Sequence, residues 1–280
     1  MSFSMKRQTP LEAEQIRNFQ AKVYDYYRAH ARRLTWRETN DPYKILISEI
    51  MLQQTQVARV IEKYEQFVRT FPDVESLERA PLRDVLGVWQ GLGYNRRALA
   101  LKRLAKTAVA EHEGKIPSSI DSLMALPGIG RTTAHAICAF AFNQPTVFIE
   151  TNIRTVFIHH FFRKRSNVND TEILPLVAQT VDSQNPRTWY YALMDYGAAL
   201  KKTHTNPSRN SAHYQKQGPF QGSNRQIRGV ILQTLLKKSR VSQVFLMRAT
   251  TFPEESVRQN LKQLEKEGLI VKKGRYISIA

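Results

Sequence analysis

The sequence predicts an all-α body in two lobes, followed by a small α+β module. Apolar residues recur with a 3.6-residue period through the first 200 residues, with almost no strand signal. That period fails between Lys201 and Arg225, where Asn206, Pro207, Ser208, Gly218, Pro219 and Gly222 cluster among basic residues. Beyond it, three short helical patterns lead into two apolar segments separated by Lys272-Lys273-Gly274-Arg275. With 280 residues, 42% of them hydrophobic and only 12 Gly and 12 Pro, the chain has material for two domains; disordered and collagen-like chains are excluded.

The elements follow in order. From Asn95 to His112, Leu101, Leu104, Ala105, Ala108 and Val109 form one stripe, with Lys102, Arg103 and Lys106 outside it, which predicts a helix buried on one face. Connectors are expected at Phe71-Pro72-Asp73, Ala80-Pro81, Gly91-Leu92-Gly93, Gly114 to Pro117 and Gln144-Pro145. After the basic crossing, Ile227, Ile231 and Leu235 predict one helix, and Val244 to Met247 a shorter one. A third opens at Thr251 with Glu254 as a capping box and Pro253 at its first helical position; Val257, Leu261 and Leu264 face inward, and Gly268 ends it. Leu269 to Val271 and Tyr276 to Ile279 then read as a hairpin, completing a winged-helix-like pattern; a plain helical cap with a hairpin tail is the alternative. The expected division is residues 1–222 and 223–280. Within the first part, 40–145 forms one lobe, and the N-terminal helix with 146–222 the other.

The net charge of +18 calls for a polyanionic partner, nucleic acid first. From Lys201 onward there are 16 basic against 4 acidic residues, so a steep salt dependence of binding is expected. Cys138 is the single cysteine, which excludes an intrachain disulfide and a Cys-held metal or iron–sulfur centre, and suits a cytoplasmic, nucleoid-associated protein. The start carries Lys6 and Arg7 but no apolar stretch, so neither a signal peptide nor a membrane span is expected. A monomer is the expected state.

Leu126-Pro127-Gly128-Ile129-Gly130-Arg131-Thr132-Thr133-Ala134 puts a tight glycine turn at a helix start, where free backbone N–H groups and the helix dipole hold a phosphate. An ordinary helix connection is the plain reading of the same residues. The stretch resembles the hairpin of the helix-hairpin-helix DNA glycosylases. Trp36-Arg37, Pro42-Tyr43, Ser48 to Val57, Phe71-Pro72, Trp89 to Tyr94 and Met194 to Ala198 fall in the order and spacing of the MutY-type A/G-specific adenine glycosylases of that superfamily. The resemblance covers roughly residues 16 to 200.

It implies a base-excision repair enzyme that turns a nucleotide out of double-stranded DNA, protonates its base and stabilises an oxocarbenium-like sugar. Glu49, among Ile45, Leu46, Ile50 and Leu52, takes the family's proton-donor position, and burial is expected to raise its pKa. Glu150 stands where the family has Asp, followed two residues later by Asn152. A carboxylate ~4 Å from a developing cation is worth about 4 kcal/mol, roughly a thousandfold in rate, and the extra methylene adds roughly 1.5 Å of reach. The resemblance puts Arg37, Gln53, Gln54, Tyr94, Thr132, Asn152 and Tyr191 at the lesion, and Gly128, Ile129, Gly130, Lys201, Lys202 and Arg209 on the DNA backbone. Thr132 replaces the lysine of the strand-nicking members, which implies a monofunctional enzyme leaving an abasic site.

This chain also departs from the MutY pattern. Asn95 replaces an aromatic residue, and Tyr191 stands where Gln or Glu is usual. Leu200 to Phe220 lacks the four cysteines of the family's [4Fe–4S] cluster, so no cofactor is expected, and the winged-helix-like segment stands in place of the C-terminal 8-oxoguanine-recognition domain. Adenine opposite G or 8-oxoguanine is the leading substrate. A uracil or thymine mismatch glycosylase and a non-catalytic DNA-binding protein are the alternatives. His159 and His160, adjacent and so on different helix faces, are expected to be structural, and Cys138 to lie in the core.

Overall fold

The structure, a computed structural model, describes residues 10–280, so the expectation about Lys6, Arg7 and the start of the chain lies outside the described residues. Helices α1 (Ala13–His30), α2 (Pro42–Leu52), α3 (Val57–Thr70), α4 (Val74–Arg79), α5 (Leu82–Trp89), α6 (Arg96–His112) and α7 (Ile120–Ala125) come first. They are followed by α8 (Arg131–Phe142), α9 (Thr151–Phe161), α10 (Asp170–Thr180), α11 (Pro186–Thr203), α12 (Asn224–Lys237), α13 (Gln243–Ala249) and α14 (Glu254–Glu267). Every connector expected from Pro and Gly falls between two of them. Among the described residues no helix is long and apolar enough to cross a membrane.

Packing divides the chain into two compact units. One holds the described residues up to Ile45, Ser118–Asp121 and Gly130–Lys216; the other holds Leu46–Pro117, Ser122–Ile129 and Gln217–Ala280. Residues 130–145 thus group with α1, and 217–280 with 46–117, whereas the sequence-based division set lobe edges at 40 and 145 and held 223–280 apart. The reason is packing: the apolar face of α8 lies on α11, and Arg83 of α5 donates to the carbonyls of Leu235 (3.0 Å) and Leu236 at the end of α12.

In the first unit the core gathers around Phe19, whose ring meets Phe157 at 5.3 Å and Trp189 at 5.8 Å, both edge-on. In the second, Leu101, Leu104, Ala105 and Ala108 of α6 are buried as the stripe predicted, while Val109 is only partly covered. The C-terminal sheet, in the order β1-β3-β2, comprises β1 (Arg240–Ser242), β2 (Ile270–Lys273) and β3 (Tyr276–Ile279), all antiparallel. Ile270 pairs with Ile279 and Lys273 with Tyr276, which sets Gly274-Arg275 at the hairpin tip. Strand β1 had no sequence signal because three residues cannot display a period of two. Helix α14 begins at Glu254, not Thr251: Pro253 is its N-cap, and no side chain bonds there. A proline disfavours helical geometry in the residue before it, so the helix cannot start upstream of 253.

Candidate active site

In the second unit the site is built on the end of α2. Of the apolar neighbours expected around Glu49, Ile45, Leu46 and Ile50 are buried and Leu52 is partly exposed, and Glu49 itself is half-buried. Two turns follow in which residues other than glycine take left-handed backbone, Gln54 at φ 54° and Tyr94 at φ 47°. Such geometry is unfavourable for a residue with a Cβ and is held here by its surroundings.

Arg97 on α6 supplies the hold. One guanidinium nitrogen donates to the carbonyls of Ile50 (2.8 Å), Met51 (2.8 Å) and Gln53 (2.7 Å). The other reaches the Thr55 hydroxyl (3.0 Å) and the carbonyls of Leu92 and Gly93 (3.1 Å each). Its cation lies 5.6 Å from the Tyr94 ring centroid, and burial lowers its pKa to about 10, so it stays charged at neutral pH. Arg97 thus caps the orphan carbonyls ending α2 and ties the Gln53-Gln54 turn to the Tyr94 turn. The Tyr94 hydroxyl also accepts from Gln217.

The hairpin between α7 and α8 is a tight turn, with the Ile129 N–H donating to the Leu126 carbonyl at 3.2 Å. Gly128 has φ +84°, and a Cβ there would meet the Ala100 Cβ at 2.7 Å, so both conformation and space demand glycine. Gly130 is the N-cap of the 12-residue α8, and no side chain caps this helix start, whose dipole favours an anion. Gly128, Gly130 and Thr132 are exposed, whereas the Ile129 side chain is buried and leaves only its backbone to a ligand.

In the first unit Glu150 is the N-cap of α9. Its carboxylate accepts from the N–H groups of Asn152 (2.7 Å) and Ile153 (2.9 Å) and from the Asn152 amide (3.2 Å). Lys201 Nζ donates to Asn152 Oδ1 at 2.8 Å. Burial raises the Glu150 pKa, against the opposing pull of the Ile153 N–H, the Lys201 charge and the Asn152 donors. Burial likewise lowers the pKa of Lys201, which the Glu150 charge counters. Gly197 of α11 makes the arrangement possible, because a Cβ there would lie 2.3 Å from the Asn152 carbonyl oxygen.

Arg37 and Tyr191 form a different cluster. The guanidinium of Arg37 is bidentate to the buried Asp195 (2.8 and 2.9 Å), which also accepts from Arg32 Nε (2.6 Å) and N–H (2.9 Å). The Tyr191 ring stacks on Phe140 at 4.6 Å with the Arg37 cation 4.5 Å from its centroid, and it is 6% exposed. The structure therefore puts both in the packed interior rather than on an open lesion pocket. Of the expected backbone-binding cations, Lys202 and Arg209 are exposed, while Lys201 is turned back onto Asn152.

The residues present do not fit a four-thiolate iron–sulfur cluster: Cys138 is buried in α8, and the segment after α11 has no sulfur ligand. His160 is bonded to the Tyr196 hydroxyl at 3.0 Å, and burial lowers its pKa to about 4. Arg97, Asp195 and Gly197 carry site geometry that sequence reading did not assign. Asp195 and Gly197 sit in a recognised motif, but only the fold reveals their partners; Arg97 had no local signal.

The family model for HhH-GPD superfamily base excision DNA repair proteins matches residues 47–174. An adenine DNA glycosylase of Mycobacterium tuberculosis is 32% identical over 231 residues, covering 75% of each chain. Another from Buchnera aphidicola is 37% identical over 187 residues, 65% of this chain and 52% of that protein, so the chain spans about half the Buchnera relative's length. A thermostable thymine-DNA glycosylase superposes with a TM-score of 0.62 at 25% identity, over 69% of this chain and 91% of that one. A trapped endonuclease III–DNA intermediate gives 0.53 at 20%, over 75% and 91%, a likeness of fold alone.

Proposed function

The chain belongs to the HhH-GPD base-excision DNA repair superfamily, on its adenine DNA glycosylase side, and from that premise we propose that it is a monofunctional DNA N-glycosylase. Its leading substrate is adenine mispaired with G or 8-oxoguanine. The observation that carries this reading is Glu150, a carboxylate in place of the family's aspartate, which accepts from two backbone N–H groups and from the Asn152 amide, whose oxygen in turn accepts from Lys201. Glu49 protonates the leaving base, and the Glu150 anion stabilises the positive charge that develops on the sugar as the N-glycosidic bond breaks. Water then adds at the anomeric carbon, because Thr132 offers no amine to form a Schiff base; an intact strand with an abasic site results. The first amides of α8 and the cations Lys202 and Arg209 hold phosphates, and no cofactor takes part.

A second reading, a pyrimidine glycosylase acting at G mispairs, is favoured by the likeness to the thymine-DNA glycosylase structure. Single-turnover base release separates the two, on duplexes carrying A opposite 8-oxoguanine, A opposite G, U opposite G and T opposite G, with alkali to reveal abasic sites. Adenine release that Glu49→Gln abolishes, with duplex binding kept, is the expected result. Pyrimidine release instead moves the chain to the second reading. Equal behaviour of Glu49→Gln and parent refutes the mechanism.

A further inference from the structure

In the C-terminal part of the second unit a groove of about 850 Å³ lies between α13, the first half of α14 and the tip of the β2–β3 hairpin. Val244, Met247 and Tyr276 give it an apolar lining, and Arg258, Lys272 and Arg275 add positive charge. Among the described residues that line it there is no carboxylate. The groove continues between α14 and β2, where Lys262 and Glu265 add one charge of each sign. Its walls are held in place. Ser242 caps α13 by accepting from the Phe245 N–H (3.1 Å), and Lys272 Nζ donates to Gln243 Oε1 (3.2 Å). Two guanidinium groups attend the Tyr276 ring, Arg240 at 4.6 Å and Arg275 at 5.3 Å from its centroid.

Two features set this groove apart from a duplex-reading face. Helix α13 fully buries only Leu246 and leaves Val244 56% exposed and Phe245 38% exposed, apolar surface that a partner gains by covering. In helix-turn-helix modules the first residues of the second helix meet base edges; here those residues are Glu254 and Glu255, both exposed. Carboxylates at that point repel phosphates. Arg258 meets Glu255 at 3.8 Å, with both side chains largely in solvent. Such surface pairs are weak, so an incoming carboxylate can take over the Arg258 cation.

We propose that this groove docks an acidic segment of a partner protein, which seats a bulky apolar side chain against Val244 and Met247 and sets flanking carboxylates on Arg258, Lys272 and Arg275. Each part of the lining then meets its complement. Apolar burial supplies affinity, while the charges select the partner and speed encounter. Duplex DNA satisfies the cations alone: its phosphates bring nothing apolar to α13, and Glu254 and Glu255 oppose them. A basic segment is repelled by the rim, and a neutral one leaves the three cations of the groove unpaired. The proposal is independent of which base the enzyme excises.

The test selects a random peptide library, displayed on phage, against the immobilised full chain, and then measures the enriched peptides by fluorescence anisotropy. Asp and Glu flanking a Leu, Ile, Phe or Trp should dominate the enriched sequences. Val244→Asp, which puts a charge on the apolar lining, and Lys272→Glu, which reverses one beside it, should each weaken the enriched peptide at least about tenfold. Both positions are exposed, so the fold should survive either change, and thermal melting checks this. Duplex DNA should lose less than about threefold on the same variants at physiological salt, where surface charges are largely screened. No enrichment, enriched sequences lacking the acids or the apolar residue, or peptide affinity unchanged in both variants overturns the proposal. So does a loss of duplex affinity in place of peptide affinity, which makes the groove a phosphate-binding surface.

Discussion

Replacing Lys201 by methionine should shift the acidic limb of the pH–rate profile to higher pH. Lys201 Nζ lies 2.8 Å from Asn152 Oδ1, and the Asn152 amide lies 3.2 Å from Glu150 Oε2. Through that amide the two charges are no more than about 8 Å apart, worth about 2 kcal/mol at an effective dielectric of 20. Since 1.36 kcal/mol corresponds to one pH unit, partial screening leaves an expected move of about one unit. The sign follows from the group: burial already raises the Glu150 pKa, Lys201 opposes it, and losing the cation raises it further. A carboxylate needed as an anion then appears only at higher pH, so base release at the acidic end falls while the plateau is kept. Single-turnover release from pH 5 to 9 measures this, with Lys201→Arg as the control that keeps the charge and the limb. An unmoved limb, or one displaced to lower pH, would refute the role given to the Glu150 anion.

Arg97→Met strips the α2 end and both turns of their shared donor, leaving buried carbonyls unpaired. A loss on the order of 2–4 kcal/mol is expected in urea unfolding, and Arg97→Lys should not restore it, because one ammonium cannot span six acceptors. Asp195→Asn should cost about 3–5 kcal/mol by stranding Arg37. Burial opposes the Asp195 charge, but Arg37 and Arg32 outweigh it and hold its pKa low. Stability from this group is therefore full above the ordinary carboxylate pKa of about 3.9 and lost as pH falls through the depressed value, so Asp195→Asn should flatten acid unfolding there. The slope of log K against log salt on duplex DNA should be steep, and Lys202→Ala and Arg209→Ala should each reduce it by about one; a flat plot excludes phosphate contacts by this segment.

Helices were legible because their signal is local: the stripe from Leu101 to Ala108 and each Pro or Gly connector follow from spacing alone. Glu49 was singled out by a different route, the resemblance of Ser48 to Val57 to the glycosylase motif, since spacing alone shows only an acid in the run Ile45 to Met51. Arg37 and Tyr191 were not, because their burial depends on Asp195 and Phe140, residues far away in sequence that only the fold brings near. Lys201 read as one more surface cation, and nothing in its neighbours marks the turn back toward Asn152. The packing of α12 on α5 was invisible because it joins segments more than a hundred residues apart.

A chain without the family's four cysteines must order the residues after α11 by other means, and the structure shows which. The Asn206 side chain accepts from the Ser208 N–H at 3.1 Å, and Pro207 and Ser208 are buried against α9. The Val168 N–H donates to the Asn210 carbonyl at 2.8 Å, and the Ala212 N–H to the Val168 carbonyl at 2.9 Å. These bonds pin the segment at both ends of a short 3-10 helix, Pro207–Asn210. Closing so short a loop carries a modest entropic cost, because that cost grows only with the logarithm of loop length. Proline and backbone pairing therefore suffice to fix Arg209 in an exposed position. Lys201, in the last turn of α11 where the helix dipole favours a cation, turns to Asn152, and its charge acts against the rise that burial gives the Glu150 pKa.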